Sequence, residues 1–135
     1  MRAEIRRQLT IALENYPGRL AAVSALMAKH QINIEALTLI DNVEQGVIRL
    51  VVSDPVTCKS ILEEAGFYVI EAQVLVVDVM DRLGQLASMT QALADARINI
   101  DYAYGSSDRP GAPTRVVFKV SDINQAQTLL NGLED

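Results

Sequence analysis

The chain has 135 residues, half of them hydrophobic, with a formal net charge of −5, few aromatics and no Trp. That length suits one ordinary domain or two very small ones, closed by an aliphatic core. Acids dominate outside the short patch of Arg2, Arg6 and Arg7, which argues against nucleic acid as a partner, since phosphate binding needs clustered Lys and Arg. The apolar stretches are strand-sized, far short of the roughly 20 residues of a membrane helix. Arg6 and Arg7 interrupt the start against a signal peptide. The lone Cys58 can form neither an internal disulfide nor a zinc site, so the expected location is the cytoplasm.

In chain order, the first predicted strand is Arg6–Leu13, aliphatic with interspersed polar residues. A turn at Asn15–Gly18 follows, then a helix over about Gly18–His30 with Leu20, Val23 and Met27 at helical spacing. Asn15 stands where a helix-starting oxygen belongs, and Pro17 suits a first helical turn. Strands are predicted at Ile34–Asp41 and Val47–Ser53. In the former, strict alternation turns Ile34, Ala36 and Ile40 one way and Leu37 and Leu39 the other. Both faces are then apolar, and a βαββαβ sheet covers one with helices, so something else is expected on the second. Asp54-Pro55 opens a helix over Val56–Ala65, which Gly66 ends. Residues 67–73 form a fourth strand.

The pattern then starts again: strand Val74–Val79, turn Asp81–Gly84 and helix Gly84–Ala96, with Leu86, Met89 and Leu93 on its apolar face. Strands Ile100–Ser106 and Arg115–Val120 follow, and Ser121-Asp122 opens a helix at Ile123–Leu133. Residues 15–35 and 81–101 align at an offset of 66, with Gly18/Gly84, Leu20/Leu86, Ala21/Ala87, Ala28/Ala94, Ile32/Ile98, Asn33/Asn99 and Ile34/Ile100 identical. Composition alone would give roughly one or two matches. Residues 48–54 match 116–122 at offset 68, which places two extra residues in the loop Ser106–Pro113.

The fold class is therefore α+β: two tandem ferredoxin-like βαββαβ modules with antiparallel sheets, at residues 4–73 and 74–135. The second copy ends before its last strand. That leaves a slot beside Val74–Val79 for a partner chain or a segment of copy one, since open sheet edges are usually paired or protected.

Asn15-x-Pro17-Gly18-x-Leu20 with Ile32-Asn33-Ile34, and again Asp81-x-x-Gly84-x-Leu86 with Ile98-Asn99-Ile100, resembles the ACT family of regulatory domains. The resemblance covers nearly the whole chain and looks like the free-standing tandem ACT proteins. It implies a non-catalytic regulator that binds an amino acid or similar small ligand at an interface between modules. The ligand would touch the glycine turn of one module and the second strand of another. The implied ligand positions are Asn15, Pro17, Gly18, Arg19, Leu20, Asn33 and Ile34, and in copy two Asp81, Leu83, Gly84, Gln85, Leu86, Asn99 and Ile100. Copy two has Leu83 where the family has proline, so its turn is less constrained. It also carries Tyr102 and Tyr104 against Ala36 and Thr38, rings that line a pocket or fill core.

The residues themselves support that carry-over. Glycine lets a ligand approach the backbone, and a helix start offers N–H groups and a positive dipole end to a carboxylate. Plainer readings stand beside these. The glycines can serve backbone geometry alone, and Asn33 and Asn99 can be turn residues. His30 reads as a helix-end residue and Cys58 as a small core filler. Asp78, Asp81 and Asp101 have no recognisable metal spacing, and neither a metal nor a cofactor is expected. One histidine and no nucleophile–base spacing argue against an enzyme, although a small enzyme on this scaffold and a ligand-free dimerisation module remain alternatives. A homodimer is expected, with a regulated enzyme as a further, unidentified partner.

Overall fold

The computed structural model describes residues 1–14, 17–41, 45–106 and 109–134. The elements are β1 (Arg2–Glu14), α1 (Arg19–Lys29), β2 (Ile34–Asp41), β3 (Gln45–Val52), α2 (Pro55–Glu64), β4 (Val69–Met80), α3 (Gln85–Asp95), β5 (Ile100–Ser106), β6 (Pro113–Val120) and α4 (Ile123–Asn131). β2 and β5 have the predicted bounds. β1 starts at Arg2 rather than Arg6, and the strands predicted at 67–73 and Val74–Val79 are one continuous strand, β4. The chain forms two compact units, one of Arg7–Ala72 and one of Gln73–Asp135 together with Met1–Arg6.

In the Arg7–Ala72 unit, β3 lies between β2 and β1 and pairs antiparallel with both. Alternate residues of a strand face one side, so Leu9, Ile11 and Leu13 of β1 join Ile48, Leu50 and Val52 of β3 in one buried layer. Val23 and Met27 of α1 and Cys58 and Leu62 of α2 close it. Cys58 Sγ sits 3.0 Å from Met27 Sδ. Burial, and secondarily the charge of Asp54, pushes its thiol up to about 11, so it is a protonated filler rather than a nucleophile. The alternation predicted for β2 fails at its start. The register slips between Ile34 and Ala36, so Ile34 pairs with Val52, Leu37 with Leu50 and Leu39 with Ile48. A bulge adds one residue to one strand, and Ile34 thereby joins Leu37 and Leu39 on the core-facing side.

In the second unit β6 pairs antiparallel with β4 and β5. Leu75, Val77, Val79, Phe118 and Val120 pack beneath Met89 and Leu93 of α3 and Ala126 and Leu130 of α4. The slot left by the absent last strand is taken by the chain's own first residues. Ala3 is buried in this core. Its N–H donates to Asn131 Oδ1 (2.8 Å), and its carbonyl accepts from Gln127 Nε2 (3.1 Å) and Asn131 Nδ2 (3.3 Å). The Met1 ammonium donates to the Leu133 carbonyl at 2.7 Å. Of the two occupants the sequence left open, a segment of copy one fills the place.

The helix ends follow the repeat. Asp54 and Asp122 cap α2 and α4, accepting from the N–H groups of Thr57 and Gln125 at 3.2 Å. The Thr57 hydrogen bonds hold the Asp54 carboxyl below its ordinary range. α1 and α3 have no side-chain cap. Gly18 and Gly84 occupy the cap position with φ of 93° and 84°. Asp81 therefore does not cap α3, Pro17 precedes the cap rather than opening the helix, and Asn15 lies outside the described residues.

At the other end of α1 the N–H groups of Ile32 and Gln31 donate back to the carbonyls of Met27 and Ala28, and in α3 those of Ile98 and Arg97 donate to Leu93 and Ala94. This closure needs a left-handed residue, and Gln31 and Arg97 adopt φ of 57° and 59°. Side chains pay for that conformation, so Gln31→Gly and Arg97→Gly should each raise stability by roughly 0.5–1 kcal/mol. Urea unfolding midpoints check this; a fall in both would contradict it.

Candidate functional site

The two glycine turns have different surroundings. In the first unit Arg19, half-buried, lays its guanidinium over the Phe67 ring at 4.9 Å, a cation–π contact that ties α1 to the chain beyond α2. Pro17, Gly18 and Leu20 are exposed, and Ile34 packs on the core. Asn33 exchanges backbone bonds with Ser53: its N–H donates to Ser53 Oγ, and its carbonyl accepts from the Ser53 N–H, both at 3.0 Å. Asn99 and Ser121 repeat the arrangement at 2.9 and 3.0 Å. These asparagines thus staple the start of one strand to the end of the next through their main chains.

In the second unit a cavity of about 790 Å³ opens beside the turn. Of the residues singled out in the sequence, Asp81, Leu83, Gly84, Gln85 and Leu86 line it, whereas Asn99 and Ile100 do not. Tyr104 reaches the lining and Tyr102 does not. The sequence reading missed Val79, Met89, Ala103, Gly105 and Val116, together with Pro110 of the longer loop. That loop is fixed to the turn: the Asp81 N–H donates to the Ala112 carbonyl (2.8 Å), and the Asp81 carbonyl accepts from the Gly111 N–H (2.6 Å). The two residues that lengthen copy two therefore belong to a segment that helps wall the cavity.

The polar end of the cavity is the start of α3. Nothing lies within 4 Å of the place where a Cβ on Gly84 would stand. The left-handed backbone demands glycine there, and the space beside it is open. α3 has no capping side chain and no acid in its first turn. The Gln85 N–H donates to the Arg82 carbonyl at 3.0 Å, so the N–H groups that follow it and the positive dipole end are what the helix start presents at the turn. Gln85 adds a side-chain donor. Its Nε2 is buried and has no hydrogen-bond partner, a state that costs free energy until an acceptor arrives. A carboxylate held at this turn would accept from the helix start, and a turn of the Gln85 side chain would bring its amide to the same group.

The carboxylates considered for metal binding are engaged separately. Asp78 accepts from Arg115 Nε at 2.8 Å. Asp101 accepts from Asn99 Nδ2 at 2.8 Å and lies 3.6 Å from Lys119 Nζ. Among the described residues no group of three or more His, Cys, Asp or Glu is placed to hold a metal. No helix among them is long and apolar enough to cross a membrane.

Two βαββαβ units in tandem, each with a left-handed glycine between its first strand and first helix, define a paired α+β architecture. The model of the ACT domain pair matches residues 5–133, and the chain belongs to that family. Protein BT0572 from Bacteroides thetaiotaomicron is similar to it in structure, with a TM-score of 0.87 and 30% identity over 96% of this chain and 88% of that one. The regulatory subunit of aspartate kinase from Thermus thermophilus, in a ligand-free form, shares the fold at a TM-score of 0.72 and 14% identity, covering 100% of this chain and 98% of that one. The aspartokinase alpha and beta subunits share it at 0.69 and 15%, covering 97% and 95%. No curated protein matches the sequence.

Proposed function

We propose that this protein is a non-catalytic regulator whose second module binds an amino acid or a close analogue in the cavity at Gly84. The observation that carries the reading is the meeting of an uncapped helix start with an unpartnered buried amide, Gln85 Nε2, at one end of a roomy groove. Helix starts of this kind hold anions. The ligand carboxylate sits at Gly84–Leu86, accepting from the N–H groups of Leu86 and Ala87 and from the Gln85 side chain, with its ammonium toward Asp81. Membership of the ACT domain pair family and the fold shared with aspartate kinase regulatory subunits support a regulatory role. Ligand binding then biases an enzyme partner in the cytoplasm through a coupling of about 1–3 kcal/mol, ordinary for allostery.

The protein acts as a homodimer in this reading. β2 ends its unit's strand order, and its Leu37, Leu39 and Ile40 are exposed; edges with apolar side chains are usually covered. The same exposed strand would equally serve a ligand-free dimerisation module, and one experiment separates the two. A thermal-shift screen against the twenty amino acids, with hits confirmed by calorimetry, should yield a saturable stabiliser. Stabilisation should reach about 2.7 kcal/mol at a hundredfold excess over Kd. No shift with any of the twenty would favour the ligand-free module.

A further inference from the structure

We propose that each chain carries one ligand site, in the second unit, and that it selects an α-amino acid with a large apolar side chain, because Ala103 and Gly105 leave open the space that Leu37 and Leu39 occupy in the first unit. The inference rests on the reading of the Gly84 cavity as the ligand site.

At the repeat offset of 66, Leu37 corresponds to Ala103 and Leu39 to Gly105. The strand registers confirm that these positions face the same way in each unit. Leu37 and Leu39 stand opposite Leu50 and Ile48, and Ala103 and Gly105 stand opposite Phe118 and Val116. Leu50, Ile48 and Phe118 are fully buried members of the two cores. All four positions therefore lie on the core-facing side of their strands, which is the side the glycine turn overlooks.

The two leucines are 46% and 51% exposed, so their side chains extend beyond the covered core. The second unit has three side-chain carbons fewer at Ala103 than the first has at Leu37, and no side chain at Gly105. Gly105 is held to its size by geometry: a Cβ there would lie 2.7 Å from the Arg115 carbonyl oxygen, so the β5–β6 pair is too close for any side chain. The floor exposed in this way is bounded by Val79, Met89, Val116 and Leu86. The charged members of the lining, Asp81 and Arg82, lie at the turn. A ligand anchored at the turn by its carboxylate and ammonium thus points its side chain along an apolar floor, where burial of apolar area is favourable and a charged group would lose its hydration.

Isothermal titration calorimetry on the full chain tests this with L-leucine, L-phenylalanine, L-alanine, L-serine, L-aspartate and L-lysine. Leucine or phenylalanine should bind at one site per chain, at least about tenfold more tightly than the other four, the scale set by losing methylenes from an apolar pocket. Ala103→Leu, which installs the residue the first unit tolerates at the same place, should weaken that binding more than tenfold with an unchanged circular dichroism spectrum and melting temperature. Leu37→Ala with Leu39→Gly should raise the stoichiometry above one. Tighter binding of a small or charged probe, two sites in the unaltered chain, or full affinity in Ala103→Leu would overturn the inference while leaving the ligand-binding reading intact. No binding by any of the six probes would overturn both.

Discussion

Deletion of Met1–Arg6 is expected to destabilise the Gln73–Asp135 part of the chain by roughly 3–5 kcal/mol, the sum of one buried and two half-buried apolar side chains and several hydrogen bonds. The loss is large because it is the loss of a strand. Ala3 is buried within that unit's core, and Met1 and Ile5 pack against it. Asn131 and Gln127 of α4 satisfy their amides on the Ala3 main chain, and the N-terminal ammonium holds the Leu133 carbonyl. Without the segment those groups lose their partners, and the flank of β4 at Leu75, Val77 and Val79 loses its cover. Ala3→Asp should reproduce much of the effect by burying an unpaired carboxylate. Urea denaturation followed by circular dichroism, read as midpoint and slope, measures both variants. Midpoints within error of the unaltered chain would mean that the docked N-terminal strand contributes nothing to stability.

Gly84→Asp should abolish ligand binding, weakening it by at least about 100-fold. A Cβ there has no non-neighbouring protein atom within 4 Å, so the effect does not come from a clash at the Cβ. The substitution places a carboxylate on the uncapped start of α3, where it accepts the N–H groups meant for the ligand and repels the ligand's own carboxylate. Left-handed backbone costs an ordinary side chain about 1–2 kcal/mol, and Asn tolerates it best, so Gly84→Asn is the control that keeps shape and removes charge. It should bind more weakly than the unaltered chain but far better than Gly84→Asp. Gly18→Asp, the matched change in the first unit, should leave affinity unchanged. Equal affinities for Gly84→Asp and Gly84→Asn would show that charge at this turn is irrelevant to the ligand.

Local chemistry made much of the fold legible. The paired glycines, the Ile-Asn-Ile triplets and the aspartates before α2 and α4 mark turns and caps that depend on neighbouring residues, and β2 and β5 were bounded correctly from them. What escaped is non-local or carries no distinctive residue. The strand at Arg2–Ile5 finds its partners on α4, more than 120 residues away. The bulge after Ile34 shifts a face by one residue without any glycine to announce it. Gln31 and Arg97 take left-handed conformations that sequence would assign to glycine. At the candidate site the turn residues were readable because they are polar or conformationally special. The floor was not, because Ala103 and Gly105 mark it by being small, and smallness becomes informative only when set against Leu37 and Leu39.

The most direct measurement is an amide NMR titration of the isotope-labelled chain with L-phenylalanine. Binding at the second unit's glycine turn should shift the resonances of Gly84, Leu86, Ala87, Ala103 and Gly105 saturably, while those of Gly18, Leu37 and Leu39 hold still. Saturable shifts centred on Gly18 and β2, with Gly84 and β5 unmoved, would contradict the assignment.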